Sequence, residues 1–322
     1  MGNLTAIDAD GHVIEKESEI RKYLKEPWNR RSTALRPGDQ PWDNYMFDHF
    51  VTERTWSKLS AREQVDRWRD IMDEHQIETA VCFPTGSGSV VRLQELKFQI
   101  AVARACNDHF AAEYNALSDR VKCVGVLPMR SPQAAAEELE RAVKERGLIG
   151  FEILPVGLPL ALGDSFYDPV YAAAERCGAV LGIHGTRSWS RELGAEGLNT
   201  FAEVHAYAFT AGILLQFTSM ICHGVPAFSQ TALRFFGDRR HLVAVLLGSP
   251  RRALGKARGS RDAAAQRKTQ RAGPKVGSLL QYRAGRIAAG ADHRIRRRRS
   301  FSICFGYSSL GLRVSGQPAT HP

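Results

Sequence analysis

The sequence predicts an α/β protein of the (β/α)8 TIM-barrel class. Short apolar runs bounded by turn residues recur through the first 185 residues, and amphipathic stretches with helix-start signals lie between them. Apolar strands that alternate with helices are typical of a parallel sheet covered on both faces. Five such units favour a closed barrel over an open sheet, and functional groups should then lie at the carboxyl ends of the strands.

The predicted strands are the apolar runs at residues 4–7, 79–83, 121–127, 148–154 and 179–183. Three helices between them have clear start signals. Ser60 and Glu63 form the pattern of a capping box ahead of an amphipathic run. Ser131 and Asp168 each precede a proline, which favours the first turn of a helix. The helix that starts at Asp168 should end at Gly178, because glycine readily adopts the left-handed backbone of a C-cap.

The composition predicts a cytoplasmic protein without a membrane partner. No apolar stretch approaches the roughly 20 residues that cross a bilayer, and the N-terminus lacks the basic and apolar regions of a secretory signal. The six cysteines lie singly, without CxxC spacing, so we expect reduced thiols rather than disulfides.

Two loops are predicted to lie over the site. The loop at 86–89 resembles a phosphate-binding loop only weakly and is predicted to be flexible. Residues 28–56 are predicted to be an insertion after the first strand.

The C-terminal segment differs in composition from the rest of the chain. Sixteen of the 44 Lys and Arg residues, but only two of the 34 acidic residues, lie between positions 251 and 300. The alternation of helix and strand stops after Val225. We therefore expect an incomplete barrel domain at residues 1–235 and an aberrant, largely disordered basic tail at residues 236–322. Clustered cations can bind nucleic acid, but the segment lacks interleaved aromatic residues, so no nucleic-acid partner is predicted.

Asp10 and His12 are predicted metal ligands. They follow the first predicted strand, and side chains two residues apart leave a strand on the same side. His184 ends the fifth predicted strand, and Glu152 lies in the fourth. Imidazole nitrogens and carboxylate oxygens suit zinc, manganese or iron. Taken singly, the Asp-x-His pair could be a solvated turn and His184 a core histidine, but jointly they favour a metal site.

Four segments carry a family resemblance: IDADGHVIE, SPQAAAEELERAVKERGLIGFEILP, DPVYAAAERCGAVLGIHG and ILLQFTSMICHGV. They span about residues 3–225 and resemble the amidohydrolase-related, metal-dependent TIM-barrel family. The branch resembled includes aminocarboxymuconate-semialdehyde decarboxylase and the dihydroxybenzoate decarboxylases. The resemblance implies that Asp10, His12 and His184 bind one divalent ion, with zinc favoured over manganese or iron. It also implies a catalytic His or Glu after the sixth strand and an Asp after the eighth, and neither is visible, so the catalytic residues stay unassigned.

The resemblance implies a small carboxylic acid as substrate. It favours nonoxidative decarboxylation of an aromatic or unsaturated acid, with hydrolysis by a metal-activated water as the alternative. A further alternative is an inactive remnant, because half a barrel leaves an unpaired edge after the fifth strand. Glu152 and His205 are the predicted substrate-binding residues, although core packing is an equal alternative for His205. His223, near a helix end, should satisfy free carbonyls. The intact family fold allows a homo-oligomer.

A shifted reading frame explains the missing residues. Reading each codon from its second base, the genetic code permits Arg-Phe-Pro-Lys-Leu-Arg across residues 227–233, which is the usual continuation in the family. The same frame permits Glu-Ile-Gly-Ala within 237–250 and Tyr-Ala-Ser-Asp within 303–316. These readings restore the Glu of the sixth strand and the Asp of the eighth. We therefore predict a frameshift after about residue 225.

Overall fold

A computed structural model of the chain describes residues 6–35, 55–186, 191–225, 232–236 and 302–304. The described strands are β1 (Ala6–Val13), β2 (Ile77–Pro84), β3 (Val121–Cys123), β4 (Gly125–Val126), β5 (Gly150–Ile153), β6 (Val180–His184), β7 (Ala232–Phe236) and β8 (Ser302–Cys304). The described α-helices are α1 (Glu17–Ile20), α2 (Ala61–His75), α3 (Leu96–Glu113), α4 (Pro132–Arg146), α5 (Asp168–Cys177) and α6 (Phe201–Cys222). Short 3₁₀ helices lie at Arg21–Tyr23, Trp28–Arg30, Ser87–Arg92, Asn115–Leu117, Ser165–Tyr167 and Arg191–Leu193.

The strands form two sheets in which all described pairs are parallel. One sheet has the order β1-β2-β3 and the other the order β4-β5-β6-β7-β8. The third predicted strand, 121–127, is divided between them at Val124, whose N–H donates to the Cys82 carbonyl at 3.0 Å. Helices alternate with most of the strands, which confirms the predicted parallel α/β class.

The two sheets curve around one centre. Neighbouring strands lie about 4.8 Å apart, and β3 and β4 follow each other along the chain rather than side by side. Four lateral steps therefore separate β1 from β6, which would be roughly 19 Å in a flat sheet. Instead, Oδ1 of Asp10 on β1 lies 3.3 Å from Nε2 of His184 on β6. Strands so far apart in the order can meet only if the sheets bend toward each other, as they do in a barrel.

Strand β1 is longer than predicted, and this changes the position of two site residues. The prediction ended the strand at Ile7, whereas β1 continues to Val13 and contains Asp10 and His12. The pairing register with β2 shifts between Asp8 and Gly11, as in a β-bulge. At position 11 a Cβ atom would lie 3.0 Å from the Trp68 ring, so glycine lets this tryptophan pack against the bulged strand. The apolar pattern ended where the bulge begins, which is why the sequence placed these residues after the strand.

The predicted helix starts are confirmed. The Ser60 N–H donates to the Glu63 carboxylate at 2.7 Å, while the Glu63 N–H donates to Ser60 Oγ at 3.3 Å, which completes the capping box of α2. The Ser131 side chain likewise accepts from the first turn of α4. Helix α5 begins at Asp168 and ends at Gly178, whose φ of 65° is left-handed. The residues that predict these helix starts and this helix end therefore cap the helices in the structure.

Asn107 of α3 supports β4 where the two sheets separate. Its side-chain amide donates to the Val126 carbonyl at 3.0 Å and accepts from the Val126 N–H at 2.8 Å. The same amide donates to the carboxylate of Glu138 on α4 at 2.8 Å. All three residues are buried. The side chain thus satisfies backbone groups that a neighbouring strand would otherwise pair with.

Several predictions concern the edges of the described chain. Strand β7 pairs with β6, so the edge that the sequence left unpaired after the fifth predicted strand is covered by backbone. Strand β8 pairs with β7, and the rest of the predicted tail lies outside the described residues. Residues 36–54 of the predicted insertion also lie outside them.

No described helix has both the length and the apolar character needed to span a membrane. The described cysteines are free thiols, and Cys82, Cys106 and Cys123 are buried.

Replacing Asn107 by leucine should lower the free energy of unfolding by about 2–4 kcal/mol, because the Val126 N–H and C=O would stay buried without partners. Asn199 is exposed, and Asn199→Ala serves as the control with an expected change within about 0.5 kcal/mol. Urea denaturation measures both variants. Equal stability of the two would show that Asn107 does not support β4.

Candidate metal centre

Strands β1 and β6 bring three polar side chains together at one end of the sheets. Asp10 and His12 project from the same side of β1, and His184 is the last residue of β6. One ligand atom from each side chain lies within 4.8 Å of the others. The three residues predicted as metal ligands are therefore neighbours in space, although they come from opposite parts of the strand order.

Two contacts fix the orientation of the His184 imidazole. Its Nδ1 lies 2.8 Å from the Gly185 carbonyl oxygen. A carbonyl oxygen can only accept, so Nδ1 carries the hydrogen, and Nε2 points to Oδ1 of Asp10 at 3.3 Å. This arrangement is typical of metal-binding histidines, in which one ring nitrogen is held by a backbone carbonyl and the other faces the ion.

An aromatic side chain packs against both imidazoles. The centroid of the Phe83 ring lies 4.9 Å from that of His184 and 6.2 Å from that of His12. The two imidazoles meet edge to face, with centroids 4.9 Å apart and an angle of 82° between their planes. Phe83 is buried near the end of β2. Sequence reasoning missed this residue, because an aromatic side chain in an apolar strand is normally assigned to the core.

The site concentrates buried acidic groups. Asp10 is 8% exposed, and Glu152 on β5 is 4% exposed. The pKa of Glu152 is raised to about 8, chiefly by burial; His184 lowers it, and the acidic residues Glu15 and Asp10 add to the increase. Burial would lower the pKa of His184, but its interactions with Asp10 and Glu152 outweigh this effect, so the pKa lies above its ordinary value. The buried acidic groups of the centre therefore stabilise a positive charge placed among them.

The donor set fits a divalent ion. Two imidazoles and one carboxylate are a common ligand set for zinc and for non-haem iron, and both leave coordination positions open. Ligand atoms bound to one such ion at about 2.0–2.2 Å are separated by up to roughly 4.4 Å. The observed spread of 4.8 Å is only slightly wider. Small side-chain adjustments would bring Asp10, His12 and His184 onto one ion.

The other predicted site residues have different outcomes. The Oε1 atom of Glu152 lies 3.9 Å from Nδ1 of His184, so Glu152 is beside the candidate ligands. His205 belongs to α6, but its side chain lies outside the described residues, and its role stays a prediction. His223 is at the end of α6, where its Nδ1 lies 2.9 Å from the Ser219 carbonyl, as the sequence predicted.

The loop at 86–89 differs from its prediction. The sequence predicted a flexible loop over the site, but Ser87 begins a 3₁₀ helix, and Ser87 and Gly88 are buried. The backbone N–H groups of Thr85, Gly86 and Ser87 all donate to the carboxylate of Glu15. The loop therefore does hold an anion, but the anion is a side chain of the same protein. Glu15 was missed because nothing in its sequence neighbourhood reveals this distant partner.

Fold and site define the class of protein: parallel α/β strands around one centre, with two histidines and a carboxylate at the strand ends. The family profile described as amidohydrolase matches residues 7–238, and the chain belongs to this family. The match includes Asp10, His12 and His184 and ends just after β7.

Two curated relatives are similar over part of the chain. The gamma-resorcylate decarboxylase of Rhodococcus jostii strain RHA1 is 38% identical over 103 residues, which are 31% of each chain. The gamma-resorcylate decarboxylase of Polaromonas sp. strain JS666 is 35% identical over a segment of the same length and coverage. The matched segment thus spans about a third of the length of these relatives.

Two solved structures share the fold. An amidohydrolase of Mycobacterium avium subsp. paratuberculosis K-10 aligns with a TM-score of 0.62 and 19% identity, over 84% of this chain and 82% of that one. A 5-carboxyvanillate decarboxylase of Novosphingobium aromaticivorans DSM 12444, solved with manganese and 4-hydroxy-3-methoxy-5-nitrobenzoic acid, aligns with a TM-score of 0.60 and 20% identity. That alignment covers 80% of this chain and 72% of the other.

Proposed function

We propose that this protein is a metal-dependent carboxy-lyase that removes carbon dioxide from an aromatic or unsaturated carboxylic acid. The convergence of Asp10, His12 and His184 within 4.8 Å carries the proposal, because it supplies a ligand set for one divalent ion. Membership of the amidohydrolase family supports the same chemistry. The names of the similar proteins, several of which are decarboxylases of hydroxylated benzoic acids, favour this reaction over hydrolysis.

The ion would be held by Asp10, His12 and His184. Three of the similar decarboxylase structures contain manganese, which favours manganese over the zinc that the sequence favoured. When bound, the ion supplies positive charge that orients and polarises an anionic substrate. The protein contributes fixed ligand directions, since the Gly185 carbonyl holds the His184 ring and Phe83 packs against both imidazoles.

Glu152 would act on the substrate itself. Because burial raises its pKa to about 8, its carboxyl group is protonated at neutral pH in the metal-free protein. A protonated carboxyl donates a hydrogen bond to an incoming carboxylate, whereas an ionised one would repel it. In the reaction the bond between the substrate carbon and its carboxylate breaks, carbon dioxide leaves, and the carbon takes up a proton. The positive charge of a bound ion would lower this pKa, and the negative charge of a bound carboxylic acid substrate would oppose that change.

Removing a ligand should strongly weaken metal binding while leaving the chain folded. His184→Asn and Asp10→Asn should each weaken binding of Mn²⁺ by more than about a hundredfold, since even the loss of a group that orients a ligand costs about 10–100-fold. The matched control is His223→Asn, because this exposed imidazole contacts the Ser219 carbonyl away from the cluster. Competition with a chelator and metal analysis measure the affinity. If His184→Asn lowers the melting temperature with unchanged metal content, His184 is a core histidine instead.

Carboxyl-labelled hydroxybenzoates and muconate-type acids should release labelled carbon dioxide with the Mn²⁺-loaded protein. We expect slow release by the chain as it stands and faster release after the reading frame is restored beyond Val225, because the restored chain regains the predicted Glu and Asp. Release of an alcohol or amine from ester or amide analogues, without carbon dioxide, would assign a hydrolase. Metal binding without turnover by either chain would assign an inactive remnant, and metal-independent turnover would contradict the mechanism.

A further inference from the structure

Glu15 is a buried carboxylate just beyond the candidate ligands of β1. Only 2% of the residue is exposed. Its Oε1 accepts hydrogen bonds from the Gly86 N–H at 2.9 Å, from the Ser87 N–H, and from the Ser87 hydroxyl at 2.7 Å. Its Oε2 accepts from the Thr85 N–H at 3.2 Å. Successive backbone N–H groups that converge in this way form an anion-binding nest, and a carboxylate in it receives charge-assisted hydrogen bonds.

The nest joins the loop after β2 to the end of β1. The Thr85 N–H also donates to the Val13 carbonyl at 3.0 Å, and the Thr85 hydroxyl donates to the same oxygen at 2.8 Å. Val13 directly follows His12, and Glu15 is two residues further along. The loop is therefore attached to the segment of chain that presents Asp10 and His12.

The other side of this loop forms a wall against Glu152. A Cβ atom at Gly88 would lie 2.5 Å from Oε2 of Glu152 and 3.0 Å from the Leu154 side chain. The backbone at position 88 is thus in direct contact with the Glu152 carboxyl, and any side chain there would push it aside. Gly88 follows Ser87, the residue that makes two of the four hydrogen bonds to Glu15. The position of the Glu152 carboxyl depends on where this loop lies.

We infer that Glu15 is a positioning residue, which acts through the loop at 85–88 to hold the Glu152 carboxyl beside His184. The inference rests on the proposed function for its catalytic consequence, but the placement of Glu152 is a separate, structural claim. Glu15 touches neither the candidate ion site nor the substrate in this account. The charge of Glu15 also raises the pKa of Glu152, but its effect on the position of the Glu152 carboxyl is carried by the backbone of the loop, because fixed groups that support a site decide how well its reacting groups are aligned.

The test uses two variants that disturb the connection from Glu15 through the loop at 85–88 to Glu152. One changes Glu15, and the other changes the loop where it contacts Glu152. Glu15→Gln keeps the shape of the side chain but places an NH₂ group against backbone donors, so it loosens the loop. Gly88→Ala leaves the nest intact and displaces Glu152 directly. The matched control is Glu17→Gln, the same chemical change two residues along the chain, where the partly buried carboxylate at the start of α1 pairs with Arg21.

The first readout is the ¹³C signal of the Glu152 side-chain carboxyl in the metal-free protein, assigned with a Glu152→Gln variant and taken at the acidic limit of its titration. There Glu152 is protonated in every variant, so the loss of the Glu15 charge does not change its protonation. We expect Glu15→Gln and Gly88→Ala to move this signal and Glu17→Gln to leave it in place. The second readout is turnover of the metal-loaded protein, which should fall about tenfold to a hundredfold in the first two variants. Mn²⁺ affinity should stay within about twofold of the parent, because Asp10, His12 and His184 are unchanged.

An unmoved Glu152 signal in folded Glu15→Gln would overturn the inference, even if the melting temperature falls, because Glu15 would then be merely structural. If Glu15→Gln does not fold, Gly88→Ala and Ser87→Ala are used in its place. An unmoved Glu152 signal in both of these variants would also overturn the inference. If the parent has no turnover, the proposed function fails, but the carboxyl signal still tests the placement of Glu152.

Discussion

The contact between Asp10 and His184 requires the two sheets to curve toward each other, and the arrangement of the other site residues follows from this curvature. These residues lie on β1 and β6, and Oδ1 and Nε2 can approach to 3.3 Å only because the parallel sheets curve around a common centre. Closure also brings Glu152 and the loop after β2 to the same place. A fold that closes in this way gathers acidic side chains at the strand ends, where Asp10, Glu15 and Glu152 are all buried.

Buried carboxylates need compensation, and each of these three is compensated differently. Glu15 receives four hydrogen bonds from the loop after β2. Glu152 is protonated at neutral pH in the metal-free protein, since burial raises its pKa to about 8. Asp10 lies against His184, whose pKa is raised by the acidic groups around it. A divalent ion between Asp10 and the two imidazoles would supply the same positive charge more strongly, which is why the electrostatics of the protein agree with a metal centre.

Local signals predicted much of the fold, and long-range effects account for the differences. The capping box at Ser60, the start at Asp168 and the stop at Gly178 depend on a few neighbouring residues, so the sequence contains all of the necessary information. The bulge that extends β1 depends on packing against Trp68, and the division of the third predicted strand depends on Asn107 of α3. The three candidate ligands could be predicted because they follow apolar strands. Glu15 and Phe83 could not, because their roles exist only once distant loops and strands are in contact.

One ion is expected to bind both imidazoles and the carboxylate. Pulsed electron paramagnetic resonance of the Mn²⁺-loaded protein, prepared with ¹⁵N-histidine, tests this arrangement, because directly bound nitrogens couple to the electron spin. We expect couplings from two histidine nitrogens in the parent and, at Mn²⁺ concentrations high enough to fill the weakened site, from only one in a His12→Asn variant. A spectrum without nitrogen couplings, like that of the hydrated ion, would show that Mn²⁺ does not bind at His12 and His184.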